Sequence, residues 1–143
     1  MGEEETSMDE RTAEVLAAYE AALNEADKAR REELVASAMS EDARVLAAHL
    51  PGAPALDRQA FADDCGVVQG WRPPGARLRR RGEVDGHHGW IRFAWEVSLP
   101  GGEVIEVGGA RIEGVDVVEL AADGRFRTVI MFQGLAPAGS AAA

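Results

Sequence analysis

Cysteine is nearly absent from the 143-residue chain, Cys65 being the single one. One thiol excludes an internal disulfide and a thiolate-cluster metal site, and it fits a reducing compartment. Aromatic residues are scarce at 6%, with one tyrosine, Tyr19, among them. Positive charge is short as well: 15 Lys plus Arg stand against 25 Asp plus Glu, for a net charge of −10. Such a surface repels phosphate backbones and anionic headgroups, so neither nucleic acid nor a membrane is an expected partner. No apolar run approaches the ~18 residues of a membrane span. Met1 is followed by Glu3-Glu4-Glu5, where a secretory signal would be basic and then apolar, and a cytoplasmic location is expected. Phosphate-cradling glycine loops, dinucleotide fingerprints and nucleophile elbows around Ser7, Ser37, Ser40, Ser98 or Ser140 are missing, which leaves hydrolytic triads and nucleotide chemistry without support.

What is present suffices for one core, because 46% of the residues are apolar and the length suits a single domain. Val15, Leu16, Tyr19, Ala22, Leu23 and Ala26 recur at helical intervals behind a capping-box spacing, Ser7 to Glu10. Asp27 caps a second helix running through Leu34, Val35, Ala38 and Met39, with Ser40-Glu41-Asp42 as a turn. Residues 43–50 read either as helix by propensity or as a strand ending at Pro51-Gly52. Asp57 caps a third helix, 58 to about 69, closed by Gly70.

Four β segments follow, 76–84, 87–99, 103–120 and 125–133, separated by Asp85-Gly86, Pro100-Gly101-Gly102 and Asp123-Gly124. They read as an antiparallel meander. A straight 103–120 strand would run about 60 Å at ~3.3 Å per residue, too long for the domain, so a bend is expected at Gly108-Gly109 or Gly114. The pattern is α+β, a curved antiparallel sheet against three N-terminal helices. The domain is expected over 8–134, between disordered tails, acidic at 1–7 and Ala-rich at 135–143.

Along 103–120, the alternate positions Ala110, Ile112, Gly114, Asp116, Val118 and Leu120 form a face that is apolar except for Asp116. An Asp in a dry row is a neutral hydrogen-bond donor, a base poised near neutrality, or a carboxylate tied to a backbone amide or a distant Arg. On the third helix, Asp64 falls near the centre of a stripe of Leu56, Ala60, Val67 and Trp71, with Asp63 at its edge; a helix ending at Gly66 would leave Asp64 at a wet terminus instead. His87 shares a face with Ile91, Phe93, Trp95, Val97 and Leu99, so it is expected to be more buried than His88. Alternation prevents that pair from chelating one ion in regular strand geometry, and no metal or other cofactor is expected. Tyr19 sits mid-stripe, and a buried phenol needs a hydrogen-bond partner. Arg77, Arg79, Arg80 and Arg81 form a basic run that reads as a solvated strand face, an acidic-partner patch or an anion grip.

Taken together, Tyr19 to Asp27, the Ser40-Glu41-Asp42-Ala43 segment, and the stretch from Gly114-Val115-Asp116 through Asp123-Gly124-Arg125-Phe126 to Phe132 resemble the nuclear transport factor 2-like superfamily, including ketosteroid isomerases and SnoaL-like polyketide cyclases. The resemblance covers about residues 8–134 and implies a cone-shaped sheet around an apolar pocket lidded by three helices, commonly in a homodimer. It makes 43–50 a strand. It also implies that Tyr19 and Asp116 take the oxyanion-hole positions of isomerase-like members. The isomerases' proton-shuttling Asp is replaced by Ala47, and Met39 and Cys65 replace supporting tyrosines. His49, on the same face as Ala47, or Asp64 is then the substitute base. Trp95, Val129, Met131 and Gln133 would line the pocket. Arg111 with Asp116 and Asp64 is a superficial echo of the Asp–Arg–Asp set of epoxide-hydrolase relatives.

The expected function is a cofactor-independent acid–base enzyme acting on an apolar, polyketide-like molecule by isomerisation, cyclisation or epoxide and hydration chemistry. The alternative is a non-catalytic small-molecule-binding or accessory dimeric module of the same fold. A sheet face bearing Trp90, Arg92 and Glu96 suits a homodimer under either reading.

Overall fold

An aspartate starts each of the three helices. In the computed structural model, which describes residues 9–107 and 110–133, Asp9 accepts a hydrogen bond from the Thr12 amide at 2.7 Å. Asp27 does the same for Arg30 and Asp57 for Ala60, both at 2.8 Å. These caps satisfy amides that helix geometry leaves unpaired. They open α1 (Glu10–Asn24), α2 (Lys28–Ala38) and α3 (Arg58–Gln69). Asp9 therefore takes the place expected of Ser7, which lies outside the described residues, as do both proposed tails.

The strands are β1 (Met39–Leu46), β2 (Arg77–His87), β3 (Trp90–Ser98), β4 (Glu106–Val107), β5 (Ala110–Arg111), β6 (Glu113–Leu120) and β7 (Phe126–Gln133). Five of them form one sheet in the order β1-β7-β6-β3-β2. From β7 to β2 the pairing is antiparallel, as the turn signals imply. β1 lies parallel to β7, which makes the sheet mixed rather than wholly antiparallel. It also begins earlier than expected: Ser40-Glu41-Asp42 is part of the strand, not a turn. A register irregularity between Met39 and Arg44 accommodates these polar residues, with Ser40 donating to Asp42 at 2.8 Å.

Two further departures have local causes. The β2–β3 reversal is His88-Gly89, not Asp85-Gly86, because His88 (φ 54°) and Gly89 (φ 80°) supply the two positive φ values that a tight hairpin needs. His87 stands at this tip and is exposed, contrary to its expected burial. The 103–120 segment is not one bent strand. It breaks into the short β4–β5 hairpin and then β6, while Gly108-Gly109, the expected bend, lies outside the described residues.

Register fixes which side chains face the helices. Directly opposed residues form rungs: Ile91–Val118–Val129, Phe93–Asp116–Met131 and Trp95–Gly114–Gln133. The first rung meets the core of Val15, Leu16, Tyr19, Val35, Phe61 and Phe126. Gly114 leaves the third rung open, and the Trp95 indole occupies the vacated space. A Cβ at Gly114 would collide with that indole and with the Phe132 carbonyl. Backbone cannot move aside as a flexible side chain can, so Gly114→Ala should cost about 1–3 kcal/mol of stability. Chemical denaturation followed by tryptophan fluorescence would measure it.

Candidate functional site

Helices, sheet and the segment after α3 enclose an open cavity of about 530 Å³. Its wall is mostly apolar, from Leu23, Phe61, Val68, Leu78, Val97, Ile105, Ile112 and Met131. The size and lining are those of a small-molecule site. Four of its polar groups gather into two pairs.

The first pair is Tyr19 and Asp116. Tyr19 projects from the middle of α1, its ring stacked on Phe61 at 5.9 Å and edge-on to Phe93 at 6.1 Å. Its hydroxyl lies 2.8 Å from Asp116 Oδ2, and the Trp95 indole N–H donates to Asp116 Oδ1 at 2.9 Å. Asp116 is 2% exposed. Burial raises its pKa from 3.8 to about 6, against the lowering effect of the Tyr19 and Trp95 hydrogen bonds. Burial, followed by the Asp116 charge, drives the Tyr19 phenol well above its usual value, so it stays protonated.

An indole nitrogen can only donate, so Oδ1 must accept, and a proton on the Asp116 carboxyl therefore belongs on Oδ2. In the protonated state Oδ2–H donates to the Tyr19 oxygen and releases the phenolic hydrogen for a ligand. In the ionised state the carboxylate takes that hydrogen itself.

The second pair comes from a loop and a helix. Val45 and Leu56 exchange backbone hydrogen bonds at 2.9 and 2.8 Å, closing the loop that carries His49 against the start of α3. His49 thus lies beyond β1 in a turn, not on its strand face, and Ala48 rather than Ala47 lines the cavity. Asp64 projects from α3, which continues past Gly66, while Asp63 is exposed. His49 Nε2 and Asp64 Oδ2 are 2.9 Å apart. Nε2 nevertheless makes no aligned hydrogen bond among the described residues, so the contact is a close approach of two cavity-lining groups and not a hydrogen bond. The Trp71 ring meets His49 edge-on at 5.8 Å.

Other expected residues fall differently. Trp95, Met131 and Gln133 line the cavity, whereas Val129 is sealed in the core one rung deeper and does not. Val67 and Trp71 are exposed, because α3 buries Phe61, Ala62 and Cys65 instead of the expected stripe. Arg111 of β5 is exposed, 3.9 Å from Glu113, and forms no Asp–Arg–Asp set. Arg81 of the basic run is held by Glu113 at 2.9 Å and Glu96 at 3.5 Å. Burial first and Asp64 second push the Cys65 thiol up to about 12, which removes it as a nucleophile. Among the described residues no three His, Cys, Asp or Glu side chains gather to hold a metal, and no helix is long and apolar enough to cross a membrane. Sequence reasoning missed Trp95 as a donor to Asp116; the signal was Gly114 in an otherwise filled row, one rung from the carboxylate.

This mixed, curled sheet on three helices, with its cavity between, is a nuclear transport factor 2-like fold. Among solved structures, a proposed isomerase of the SnoaL-like family from Agrobacterium tumefaciens is 30% identical, with a TM-score of 0.70 over 87% of this chain and 97% of that one. A nuclear transport factor 2-like protein of unknown function from an Exiguobacterium species is 17% identical, with a TM-score of 0.60 over 85% and 99%. A protein of unknown function with a cystatin-like fold from Methylobium petroleophilum is 17% identical, with a TM-score of 0.65 over 93% and 82%. No protein-family model and no curated protein matches the chain. The identity and coverage with the Agrobacterium protein place this chain in the SnoaL-like family.

The Asp116 environment gives a direct test. Carboxyl-resolved NMR should show Asp116 titrating near 6, and Tyr19→Phe or Trp95→Phe should raise that value, since each bond removed favours the ionised form. The native state holds this proton more tightly than the unfolded chain does. Stability from this group is therefore complete below about pH 4 and falls as the pH rises through about 6, by roughly 3 kcal/mol. Asp116→Asn should flatten that part of the profile; an Asp116 titrating near 3.8 would show a solvated carboxylate.

Proposed function

We propose that this protein is a cofactor-independent acid–base enzyme that isomerises, cyclises or hydrates an apolar, polyketide-like carbonyl or epoxide substrate. One observation carries the reading: the Tyr19–Asp116 donor pair and the closely placed His49–Asp64 pair line the same apolar cavity. For a carbonyl substrate, the His49–Asp64 pair removes a proton from the carbon beside the carbonyl. The C–H electrons move into the carbon–carbon bond and the carbonyl π electrons onto oxygen. Tyr19, with Asp116 behind it, donates to the oxyanion so formed. Return of the proton to a different carbon completes an isomerisation; attack of the enolate on a second carbonyl within the molecule closes a ring. The apolar wall excludes water and strengthens both interactions.

Proton abstraction can be tested before the natural substrate is known. In heavy water the protein should accelerate exchange of the α-hydrogens of tetralone, followed by proton NMR. Tyr19→Phe and Asp64→Asn should each reduce the acceleration by about 10²-fold or more. Exchange no faster than that of a His49→Gln/Asp64→Asn double variant would leave the cavity as a binding site, the accessory-module reading.

A homodimer completes the proposal. On the outer sheet face, Val115, Val117, Ile130 and the exposed Phe132 lie together, with Trp90 exposed at one end and the exposed Arg92–Asp85 pair at 2.7 Å beside them. An apolar sheet face of this kind is better matched by a second copy than by water. Phe132→Glu should shift the protein to monomer in sedimentation velocity; an unchanged mass would place the interface elsewhere.

A further inference from the structure

Arg72 is the one permanent cation among the described residues that line the cavity. It follows α3 directly, between Trp71 and Pro73, both exposed, which puts it at the cavity mouth. Both hydrogen bonds it makes among the described residues leave from Nη1, to the Leu23 carbonyl and to Asn24 Oδ1, each at 3.1 Å. Both acceptors are uncharged. The ion pairs among the described residues all use other cations. Partial burial holds the guanidinium below its usual pKa, the mark of a charge taken out of water without a counter-ion.

The two hydrogens of Nη1 account for both bonds, which leaves the Nε and Nη2 edge, the fork that matches a carboxylate in bidentate fashion. A carbonyl oxygen would satisfy one donor and leave the charge uncompensated. Asp64, Asp116 and Glu106 also line the cavity and repel a second negative charge from the rest of it, so an anionic group has one favourable place to sit. Leu23, to which Arg72 is tied, lies four residues beyond Tyr19 on α1, on the order of 6 Å along the helix axis.

We propose that Arg72 anchors a carboxylate of the ligand, so that the substrate is an apolar acid held by its charged end at the cavity mouth. Its reacting carbonyl or epoxide oxygen, about one six-membered ring away, reaches Tyr19 and Asp116. This rests on the cavity being the acid–base site proposed above.

Calorimetry with naphthoate and its uncharged isostere naphthamide at neutral pH separates the two readings. Wild type should prefer naphthoate. Arg72→Gln, which keeps a donor for the Leu23 carbonyl, should weaken naphthoate by about 10-fold, the value of one charge-assisted pair. It should leave naphthamide within about 2-fold by the same arithmetic. Arg127→Gln, which removes an exposed cation that pairs with Asp42 and does not line the cavity, should change neither. Arg72→Lys keeps the charge and should retain part of the preference, which preserves the test if the glutamine variant does not fold. Equal losses for both ligands would reduce Arg72 to a wall brace and overturn the proposal, as would a loss reproduced by Arg127→Gln. Naphthamide binding without a naphthoate preference overturns the anchor alone; failure of both ligands to bind overturns the cavity reading with it.

Discussion

A carboxyl group held out of water on an apolar wall is the constraint around which this molecule is arranged. Removing Asp116 from solvent disfavours its charge, and the Tyr19 and Trp95 hydrogen bonds only partly offset that cost, which is why the group titrates near 6. Each partner imposes a condition elsewhere. Trp95 stands opposite Gly114, not opposite Asp116, and its indole reaches the carboxylate diagonally over the space the glycine leaves. Tyr19 reaches it from α1, so α1 must sit flat on the sheet, and the contacts of Tyr19 with Phe61, Phe93 and Phe126 hold it there. The fold and the site thus share one set of contacts.

The parts of the fold legible in the sequence were those governed by local chemistry. Asp27 and Asp57 announce helix starts because an aspartate side chain is the right length to accept from the amide three residues on. The inward row of Ile91, Phe93, Trp95 and Val97 is plain from alternation. Legibility failed where long-range pairing decides. Nothing local tells β1 to run parallel to β7, or tells Ser40-Glu41-Asp42 to join a strand; the pairing with β7 across more than 80 residues does so. Asp85-Gly86 has the composition of a hairpin turn, but His88-Gly89 has the φ values, and only backbone geometry separates them.

The site divides along the same line. Asp116 was visible because one polar residue interrupts a dry row, and Tyr19 because a phenol on a buried stripe needs a partner. Asp64 was visible from helical spacing even though the stripe was misplaced: α3 buries Phe61, Ala62 and Cys65, leaving Asp64 at the margin of that face where it meets the cavity. His49 reaches the cavity not from the expected strand face but from a loop clamped at Val45 and Leu56. Arg72 carries no pattern in the sequence. Its role depends on the end of α1 meeting the end of α3, a tertiary event.

Trp95 and Tyr19 together make the site responsive to what occupies it. Because the indole can only donate, Asp116 has one oxygen free to hold a proton, and that oxygen faces Tyr19. Above about 6 the empty site favours a carboxylate that claims the phenolic hydrogen for itself. An oxyanion forming beside Tyr19 changes that balance, since a second negative charge so close raises the proton affinity of Asp116. Proton uptake by Asp116 then turns the phenolic hydrogen toward the oxyanion. In the proposed reaction, charge development in the ligand and full engagement of the donors are therefore linked, so the pair would stabilise the reacting state more than the resting one, which is the condition for catalysis rather than mere binding.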